Sequence, residues 1–281
     1  MRVSLGLNLE YSRRHDWSFQ RAVEEAAGLG YEYVEPMVHL GRQLLSEGGY
    51  LHSLSMSEDP LWALEVCAAN GLKISALSSH AQLCKPDFAV EYLRQGIRWA
   101  GEMGVPVVNT SEGHKRLWTS RAEDMVLIAY SLKVALADAE RRGVLIGLEP
   151  HQQYSGSLEG MDELLDLAPS PWVGVNFDTG DAYLCGRSDI YVWLEHVRDR
   201  LVHVHAKDIS AVQGKKERGR ISGTPVGCAC GDGLIDWRRI IKSCLDAPRD
   251  IVLSVECGSH EEAKCSHAHL SRILAEFANP G

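Results

Sequence analysis

The chain has no long hydrophobic segment and no excess of positive charge. No apolar run approaches the roughly 18 residues that a membrane-spanning helix needs, so we predict no membrane partner. Its 281 residues include 29 Lys and Arg against 38 Asp and Glu, a formal charge of −9. Because an acidic surface repels a phosphate backbone, we predict no nucleic-acid partner. The start of the chain carries no small-residue cleavage site, so a cytoplasmic protein is expected.

Cysteine is neither dense nor clustered. The chain has eight cysteines, and only Cys228 and Cys230 lie close together in the sequence. One intervening residue is fewer than a zinc knuckle uses. A chain of this length builds its own hydrophobic core, so we interpret the cysteines as reduced thiols rather than as a disulfide framework.

Glycines that precede short β-branched runs punctuate the first half of the chain. Gly30, Gly71, Gly104 and Gly143 each follow an amphipathic stretch and come shortly before such a run. Glycine adopts the left-handed conformation that ends many helices, so each position predicts a helix end followed by a strand. The spacing of 33 to 41 residues between these glycines is the size of one βα unit.

Eight strands and eight helices are predicted to alternate. The strands are 3–9, 33–35, 73–75, 107–109, 144–146, 173–177, 202–207 and 251–255; the helices are about 17–28, 59–70, 88–103, 120–142, 158–168, 189–198, 236–246 and 261–277. No Pro-, Ser- or Gly-rich linker divides the chain. The pattern predicts an α/β fold with one (β/α)8 TIM barrel over residues 1–281. A doubly wound open sheet is the alternative, but no strand leads into a Gly-x-Gly-x-x-Gly turn.

Polar residues end the last four strands. Glu149, Asp178, His205 and Glu256 stand at these ends, two residues after Gly147, Asn176, His203 and Ser254 respectively. Side chains two apart share a face of a strand, so these polar residues are predicted to point into the barrel. The apolar residues between them, such as Phe177, are predicted to pack under the helices.

The four end residues predict a divalent metal site. Three carboxylates and one imidazole repel one another without a cation, whereas a divalent ion makes the cluster favourable. Oxygen donors with a single nitrogen favour Mn²⁺, with Mg²⁺ or Co²⁺ as alternatives. Taken singly, Asp178 is also a good candidate for a helix N-cap.

Five motifs resemble the xylose-isomerase-like barrels, a superfamily of sugar isomerases, ketose 3-epimerases, inosose dehydratases and endonuclease IV enzymes. They are Leu-Glu-Pro at 148–150, Asn-Phe-Asp-Thr-Gly at 176–180, His-Val-His-Ala-Lys-Asp at 203–208, Gly-Asp-Gly-Leu-Ile-Asp-Trp at 231–237 and Ser-Val-Glu at 254–256. The resemblance places Glu149, Asp178, His205 and Glu256 at metal-ligand positions and implies that both glutamates carry protons. It also implies a homo-oligomer, either a dimer or a tetramer.

Two departures from the epimerases of this superfamily bear on the reaction. Asp181 stands where they usually place His, and no Arg follows closely after His205, since Arg218 and Arg220 lie farther along. Glu-Pro-His at 149–151 is similar to a turn in relatives that eliminate an aglycone from a keto-sugar. His151 is therefore predicted as a further catalytic acid or base.

These features predict a metal-dependent isomerase or epimerase of a ketose or keto-sugar that works by proton abstraction through a metal-bound ene-diolate. A lyase or dehydratase that acts on a 3-keto-glycoside or inosose by the same enolisation is the alternative. An endonuclease of the same barrel and a non-catalytic sugar-binding barrel are weaker alternatives, and net acidity disfavours the endonuclease.

Several residues near strand ends are predicted to line the substrate pocket: Asn8, Glu35, His80, Glu112, Asp181, Lys207 and Arg218. Lys207 either contacts an enolate oxygen or forms an ion pair with Asp208. His203 is interpreted as a buried residue that orients its neighbours. The long loops 38–58 and 208–235 follow strand ends, so we predict that they contribute to binding.

Overall fold

Nine short parallel strands form the centre of the structure. The computed structural model describes residues 1–40, 50–114, 116–151, 153–220 and 225–278. Its strands are β1 (Val3–Asn8), β2 (Tyr33–Glu35), β3 (Val38–His39), β4 (Leu54–Ser55), β5 (Lys73–Ile74), β6 (Leu77–Ser78), β7 (Val107–Thr110), β8 (Leu145–Leu148), β9 (Val173–Asp178), β10 (Leu201–Ala206) and β11 (Ile251–Val255). The strands β3 and β4 pair separately, outside the nine-stranded sheet.

The sheet closes on itself through one interrupted strand. Its order is β5-β2-β1-β11-β10-β9-β8-β7-β6, so its two ends are β5 and β6, which are separated by only two residues. The strand β5 lies within the predicted third strand 73–75 and β6 follows shortly after it, and the amide of Ser78 bonds to the carbonyl of Pro36 across the gap. The eight predicted strand positions and the barrel are therefore confirmed.

Helices follow the strands and cover the barrel. They are α1 (Phe19–Gly28), α2 (Pro60–Ala69), α3 (Pro86–Met103), α4 (Arg121–Arg142), α5 (Leu158–Asp166), α6 (Thr179–Cys185), α7 (Ile190–Val197), α8 (Ala211–Glu217), α9 (Trp237–Leu245) and α10 (His260–Ala278), with 3₁₀ helices at Leu9–His15 and Arg198–Arg200. No helix in the described part of the chain is long and apolar enough to cross a bilayer.

Two helices lie where no helix was predicted. The helix α8 lies within the predicted loop 208–235, where the Ser210 hydroxyl accepts a bond from the Gln213 amide and caps the new helix. The helix α6 begins directly after Asp178, which caps it. Each has only seven residues, too few for a 3.6-residue periodicity to be visible in the sequence.

The predicted glycine junctions are confirmed at the ends of α3 and α4. Gly104 and Gly143 both have a φ of 67°, and the amide of each bonds back to its helix. A residue with a Cβ is strained in this left-handed conformation, which explains the choice of glycine. At its other end, α4 has a capping box between Ser120 and Glu123.

Most apolar residues between the polar strand positions pack under the helices as predicted. Phe177, for example, is buried and meets Trp193 of α7 edge-on, with ring centroids 5.4 Å apart. Val202 is an exception, because an irregularity between Leu201 and His203 shifts the register of β10. Its side chain instead lies near Gly147 inside the barrel. There it belongs to a small apolar cluster, separate from the main core, with Ala76, Val107 and Leu145.

Candidate active site and metal centre

The carboxyl ends of the last four barrel strands bring the predicted ligand residues together. Asp178 ends β9 and His205 lies within β10. Glu149 and Glu256 come directly after β8 and β11, where their amides bond to neighbouring strands through the carbonyls of Thr110 and Ala206. Parallel strands end at the same rim of a barrel, so four distant parts of the chain converge there.

His205 is at the centre of the cluster. Its Nδ1 lies 3.2 Å from Glu149 Oε2 and 3.2 Å from Glu256 Oε2. The same nitrogen is 3.7 Å from Asp178 Oδ2. On its other side, Nε2 lies 3.0 Å from both carboxylate oxygens of Glu35. The imidazole is thus surrounded by four carboxylates.

The donor set fits a divalent cation. One ligand atom each from Glu149, Asp178 and His205 lies within 4.8 Å of the others, the size of a metal site. The buried oxygen Oδ2 of Asp178 accepts no hydrogen bond of good geometry. Buried polar atoms normally have such partners, and the contact of this oxygen is instead an ion pair with Lys207 Nζ at 2.9 Å, so a cation already lies beside it. Glu256 lies outside this group of three; its side chain is 14% exposed, and its Oε2 lies 3.2 Å from His205 Nδ1.

Two further groups of metal-binding residue types surround this set. Glu35 combines with His203 and His205, and Glu149 combines with His151 and Asp181. Each group shares one residue with the central set. Glu149, Asp178 and His205 of the central set are three of the four residues predicted as metal ligands at consecutive strand ends.

A layer of amides under the cluster orients its carboxylates. The Asn176 side chain donates to Glu149 Oε2 at 2.9 Å, and the Asn109 side chain donates to Glu35 Oε1 at 2.8 Å. His203 lies between the two amides, with its Nε2 3.2 Å from Ser75 Oγ. This arrangement agrees with the interpretation of His203 as an orienting residue.

Asp178 has two roles in the structure. Its Oδ1 accepts a 2.7 Å hydrogen bond from the Asp181 amide and so caps α6. Its Oδ2 faces the cluster, 2.9 Å from Lys207 Nζ. The cap and the ligand were alternatives in the sequence, and the two oxygens allow both.

Lys207 is buried among acidic side chains. Its Nζ lies 2.7 Å from Glu256 Oε1, 2.9 Å from Asp178 Oδ2 and 3.3 Å from Asp181 Oδ1. Of the two alternatives predicted for Lys207, the ion pair with Asp208 is wrong. The Asp208 carboxylate instead accepts bonds from three backbone amides and from Trp237 Nε1, all in the segment 209–237.

The protonation of the carboxylates follows from their neighbours. Burial by itself raises the pKa of Glu149, but the adjacent His205 holds that pKa well below its usual range. Burial also opposes ionisation of Glu35, yet His205 and His203 lower its pKa to about 2. For Glu256, burial prevails over Lys207 and raises the pKa to about 8. The two predicted proton carriers, Glu149 and Glu256, therefore have pKa shifts of opposite sign.

His151 lies at the rim, in contact with the Asp181 carboxylate and the His80 ring. Its Nδ1 lies 3.4 Å from Asp181 Oδ2 and 3.9 Å from Glu149 Oε1. Burial opposes its positive charge, but Asp181 and Glu149 raise the pKa of His151 to about 10. The His80 ring stacks on it at 5.8 Å between centroids, with 8° between the planes.

A cavity of about 300 Å³ opens above the cluster. Eight of the predicted site residues line it: Asn8, His80, Glu149, His151, Asp181, His205, Lys207 and Glu256. Asp178 is buried next to this lining, 2.9 Å from Lys207 Nζ. Other lining residues were not predicted, notably Glu10, Arg13, Tyr50, Gln82 and Gln153. Glu10 and Arg13 lie on the 3₁₀ helix Leu9–His15, which has no 3.6-residue periodicity that would indicate it in the sequence.

Three predicted substrate-binding residues lie outside the lining of this cavity. Glu35 is fully buried under His205. Glu112 is buried and accepts bonds from Tyr154 and Ser155, which orders the turn after Glu149. Arg218 is exposed, with its guanidinium 4.6 Å from the Tyr183 ring centroid.

The two long predicted loops reach the cavity in part. Tyr50 and Pro225 line it, one from each loop. Residues 41–49 of loop 38–58 and 221–224 of loop 208–235 lie outside the described residues. After β7, His114 also lines the cavity, and Arg116 forms an ion pair with Asp87.

Comparisons with known proteins agree with this architecture. The sequence model of the xylose isomerase-like TIM barrel family matches residues 23–276. A D-tagatose 3-epimerase-like protein is 18% identical with a TM-score of 0.76, covering 99% of this chain and 98% of that one. A probable 3-DHS dehydratase of Bacillus anthracis, involved in petrobactin synthesis, is 18% identical with a TM-score of 0.70 and full coverage of both chains, 100% each.

A third structure, the IOLI protein with a bound zinc atom, is 18% identical with a TM-score of 0.69. It covers 98% of this chain and 96% of its own. At these identities the structures establish a shared fold. A comparison with curated proteins finds no significant match.

Proposed function

Because this chain belongs to the xylose isomerase-like TIM barrel family, we propose that it is a divalent-metal-dependent isomerase or epimerase of a ketose or keto-sugar. One observation carries the proposal. Two carboxylates, from Glu149 and Glu256, each lie 3.2 Å from the same His205 nitrogen at the mouth of a cavity of about 300 Å³. Such a pair can remove and return a proton at one carbon.

The chain's own ligands for the cation would be Glu149, Asp178, His205 and Glu256. Their oxygen-rich composition favours Mn²⁺, with Mg²⁺ and Co²⁺ as alternatives, and the zinc of a structural neighbour is a further candidate. When bound, a divalent cation supplies a Lewis acid that lowers the pKa of the C–H bond next to a substrate carbonyl.

The two glutamates would transfer the proton. Glu149 follows β8 and Glu256 follows β11, so they approach the cluster from positions three strands apart in the sheet. A planar carbon between them has one carboxylate on each face. Removal on one face and return on the other inverts that carbon, whereas return to the neighbouring carbon moves the carbonyl. No atoms are gained or lost in either outcome.

Neighbouring side chains would position the two acids. Lys207 Nζ forms an ion pair with one oxygen of Glu256 at 2.7 Å, and the Asn176 side-chain amide donates a hydrogen bond to one oxygen of Glu149 at 2.9 Å. The remaining oxygens are then directed by fixed partners rather than by mobile water. Preorganised groups of this kind reduce the reorganisation that a proton transfer requires.

A dehydratase or lyase is the second candidate, and His151 favours it. This ring lines the cavity, paired with Asp181 at 3.4 Å, where it can reach an oxygen at the carbon next to the enolised one. A carboxylate would take the proton, the adjacent C–O bond would break, and His151 would protonate the departing oxygen. The leaving group would depart as water or as an alcohol.

Deuterated water separates these outcomes. The chain is incubated with a panel of ketoses and 3-keto-glycosides, and deuterium is located in the products. An epimerase should place one deuterium at an inverted carbon. An isomerase should leave deuterium at the carbon next to the original carbonyl. A lyase or dehydratase should give an unsaturated product. A chelator should abolish turnover, and added Mn²⁺ should restore it.

The Glu256→Gln variant tests the proton carrier. It should lose at least about 10²-fold in turnover, the scale of acid–base catalysis, while its melting temperature stays near that of the native chain. Glu195→Gln, an exposed position on α7, is the matched control and should retain full turnover. Full turnover in Glu256→Gln, or in chelated protein, contradicts the proposal.

A further inference from the structure

The 3₁₀ helix Leu9–His15 forms one wall of the cavity. Glu10 and Arg13 both line the cavity from this helix. A 3₁₀ helix has three residues per turn, so residues three apart lie one above the other. The opposite side of the helix is anchored in the core by Leu9, Tyr11 and Ser12, which are all buried.

Arg13 presents a guanidinium without an acidic partner. Its Cζ lies 4.2 Å from the centroid of the Tyr50 ring, within the range of a cation–π contact. Within the described part of the chain, no carboxylate lies within 4.0 Å of it and no atom accepts a hydrogen bond from it. By contrast, Arg94 and Arg238 each have a carboxylate partner.

The contact with Tyr50 is not a hydrogen bond, and no described atom accepts one from the N–H groups of Arg13. Those N–H groups match the two oxygens of a carboxylate or the oxygens of a phosphate. The only other Lys or Arg among the described lining residues is Lys207. Its ammonium already lies within 3.3 Å of three carboxylates. Arg13 is therefore the permanent cation of the described lining that remains available to an anion.

The position of Arg13 relative to the catalytic cluster determines which end of a ligand it would meet. Glu10 and Glu256 line the same cavity, and Arg13 lies one 3₁₀ turn, about 6 Å, beyond Glu10 along the helix. Among the described residues Arg13 forms no ion pair or hydrogen bond with the cluster, so a ligand whose carbonyl is at the cluster would meet Arg13 with another part of its chain. The wall contributed by other strands and loops carries neutral polar groups suited to hydroxyls: Ser78, Gln82, Ser111 and Gln153.

We infer that the substrate is an anionic sugar derivative whose carboxylate or phosphate, at the end remote from the reacting carbonyl, binds to Arg13. The inference rests on the proposed function for its assignment of the carbonyl end. An anion at Arg13 would lie about one 3₁₀ turn along the helix from Glu10, the acidic residue of the same helix. A cavity of about 300 Å³ is at the small end of ligand sites, which suits a single short sugar chain.

Three matched linear ligands test the inference by calorimetry on the full chain, with the same Mn²⁺ concentration in every sample. D-glucitol is neutral, D-gluconate carries a terminal carboxylate, and D-glucitol 6-phosphate carries a terminal phosphate. A charge-assisted bond predicts about 10- to 100-fold tighter binding of one anion than of D-glucitol. Comparison of the two anions shows which group the site prefers.

Variants of Arg13 attribute that preference to its side chain. Arg13→Gln should bring the affinity for the anion to that for D-glucitol, and Arg13→Lys should retain part of the difference. The control is Arg21→Gln on α1, whose guanidinium pairs with Glu24 and Glu25 outside the cavity. It should leave the preference unchanged. Melting temperatures of all variants establish that the chain remains folded.

Equal affinities for all three ligands in the native chain, no binding of either anion, or an anion preference that survives in Arg13→Gln would overturn the inference. These results are distinct from failure of the proposed function. If the anion preference depends on Arg13 but no panel substrate exchanges deuterium, the binding inference holds and the proposed reaction fails. If a neutral ketose is converted at least as efficiently as its terminal carboxylate and phosphate analogues, and Arg13→Gln changes none of these efficiencies, the reaction holds and the inference fails.

Discussion

Lys207 Nζ lies 2.7 Å from Glu256 Oε1, and only 1% of the lysine side chain is exposed. Such a buried pair compensates charge within the cluster rather than at the surface. The strands that supply the two residues are neighbours, since β10 pairs with β11 in parallel. The ammonium and the bound cation proposed here would act on the same group of carboxylates.

Removal of this ammonium should destabilise the fold. Lys207→Met leaves three buried carboxylates without their nearest cation, so we expect a loss of about 3–5 kcal/mol in the free energy of unfolding in EDTA. Added Mn²⁺ should recover more stability in the variant than in the native chain, because it restores positive charge. Urea unfolding measures both effects. Lys242→Met, which breaks an exposed pair with Asp246, should cost under about 1 kcal/mol.

Addition of one methyl group at Gly147 should disturb the orienting layer. A Cβ at this position would overlap Asn109 Oδ1 and lie 3.1 Å from Asn176 Cβ. Both amides hold carboxylates of the cluster, so Gly147→Ala should cost about 1–3 kcal/mol in unfolding free energy and also weaken Mn²⁺ binding. Gly28→Ala is the control, because nothing lies within 4 Å of its Cβ. A stable Gly147→Ala chain with native Mn²⁺ affinity would contradict this prediction.

His52 should make the fold sensitive to mild acid. The residue is 1% exposed, and burial, together with Arg13, lowers its pKa to about 4 from an ordinary value of 6.5. Above pH 6.5 the ring is neutral in both states and contributes nothing. As the pH falls from 6.5 to 4, only the unfolded chain takes up the proton, so stability decreases by about 3 kcal/mol.

A comparison of the native chain with His52→Leu isolates this effect. Urea unfolding at pH 7.5, 6.0 and 5.0 should give a shallower loss of stability in the variant. Parallel pH profiles in the two chains would show that His52 titrates normally in the fold.

Variants of His151 and His205 should separate the effect on catalysis from the effect on cation binding. His205→Gln removes the nitrogen at the centre of the ligand set and should reduce Mn²⁺ affinity at least about 10²-fold. His151→Gln should leave that affinity within a few-fold while turnover decreases about 10²- to 10⁴-fold, as expected for an acid–base residue. Calorimetry with Mn²⁺ and a turnover assay give the two readouts. A loss of Mn²⁺ affinity in His151→Gln would identify it as a ligand instead.

The sequence was sufficient to predict the strand face on which most site residues lie. Alternation along a strand follows from backbone geometry, so the phases of Glu149 and Asp178 could be read without tertiary information. Val202 was misplaced because a local irregularity in β10 shifts the register, and nothing in the sequence marks it. The helices α6 and α8 were missed because their seven residues form too few turns to show a period.

Contacts between distant segments could not be read in this way. Asp208 follows Lys207 directly, which suggested an ion pair, yet backbone amides of the following loop bind Asp208 and leave Lys207 to acids from other strands. No pattern in the sequence indicated that Arg13 lies at the cavity either. Its place in the cavity depends on a 3₁₀ turn and on Tyr50, which is 37 positions away in the chain.

The sequence by itself determined the alternation of strands and helices, the barrel, and the four polar side chains at its rim, because these follow from short-range periodicity and from glycine conformation. Only the tertiary structure decided which charges meet: His205 among four carboxylates, Lys207 with Glu256, and Arg13 without an acidic partner in the described chain. Strand register and barrel closure set those distances, and electrostatic energy depends on distance and burial rather than on separation along the chain.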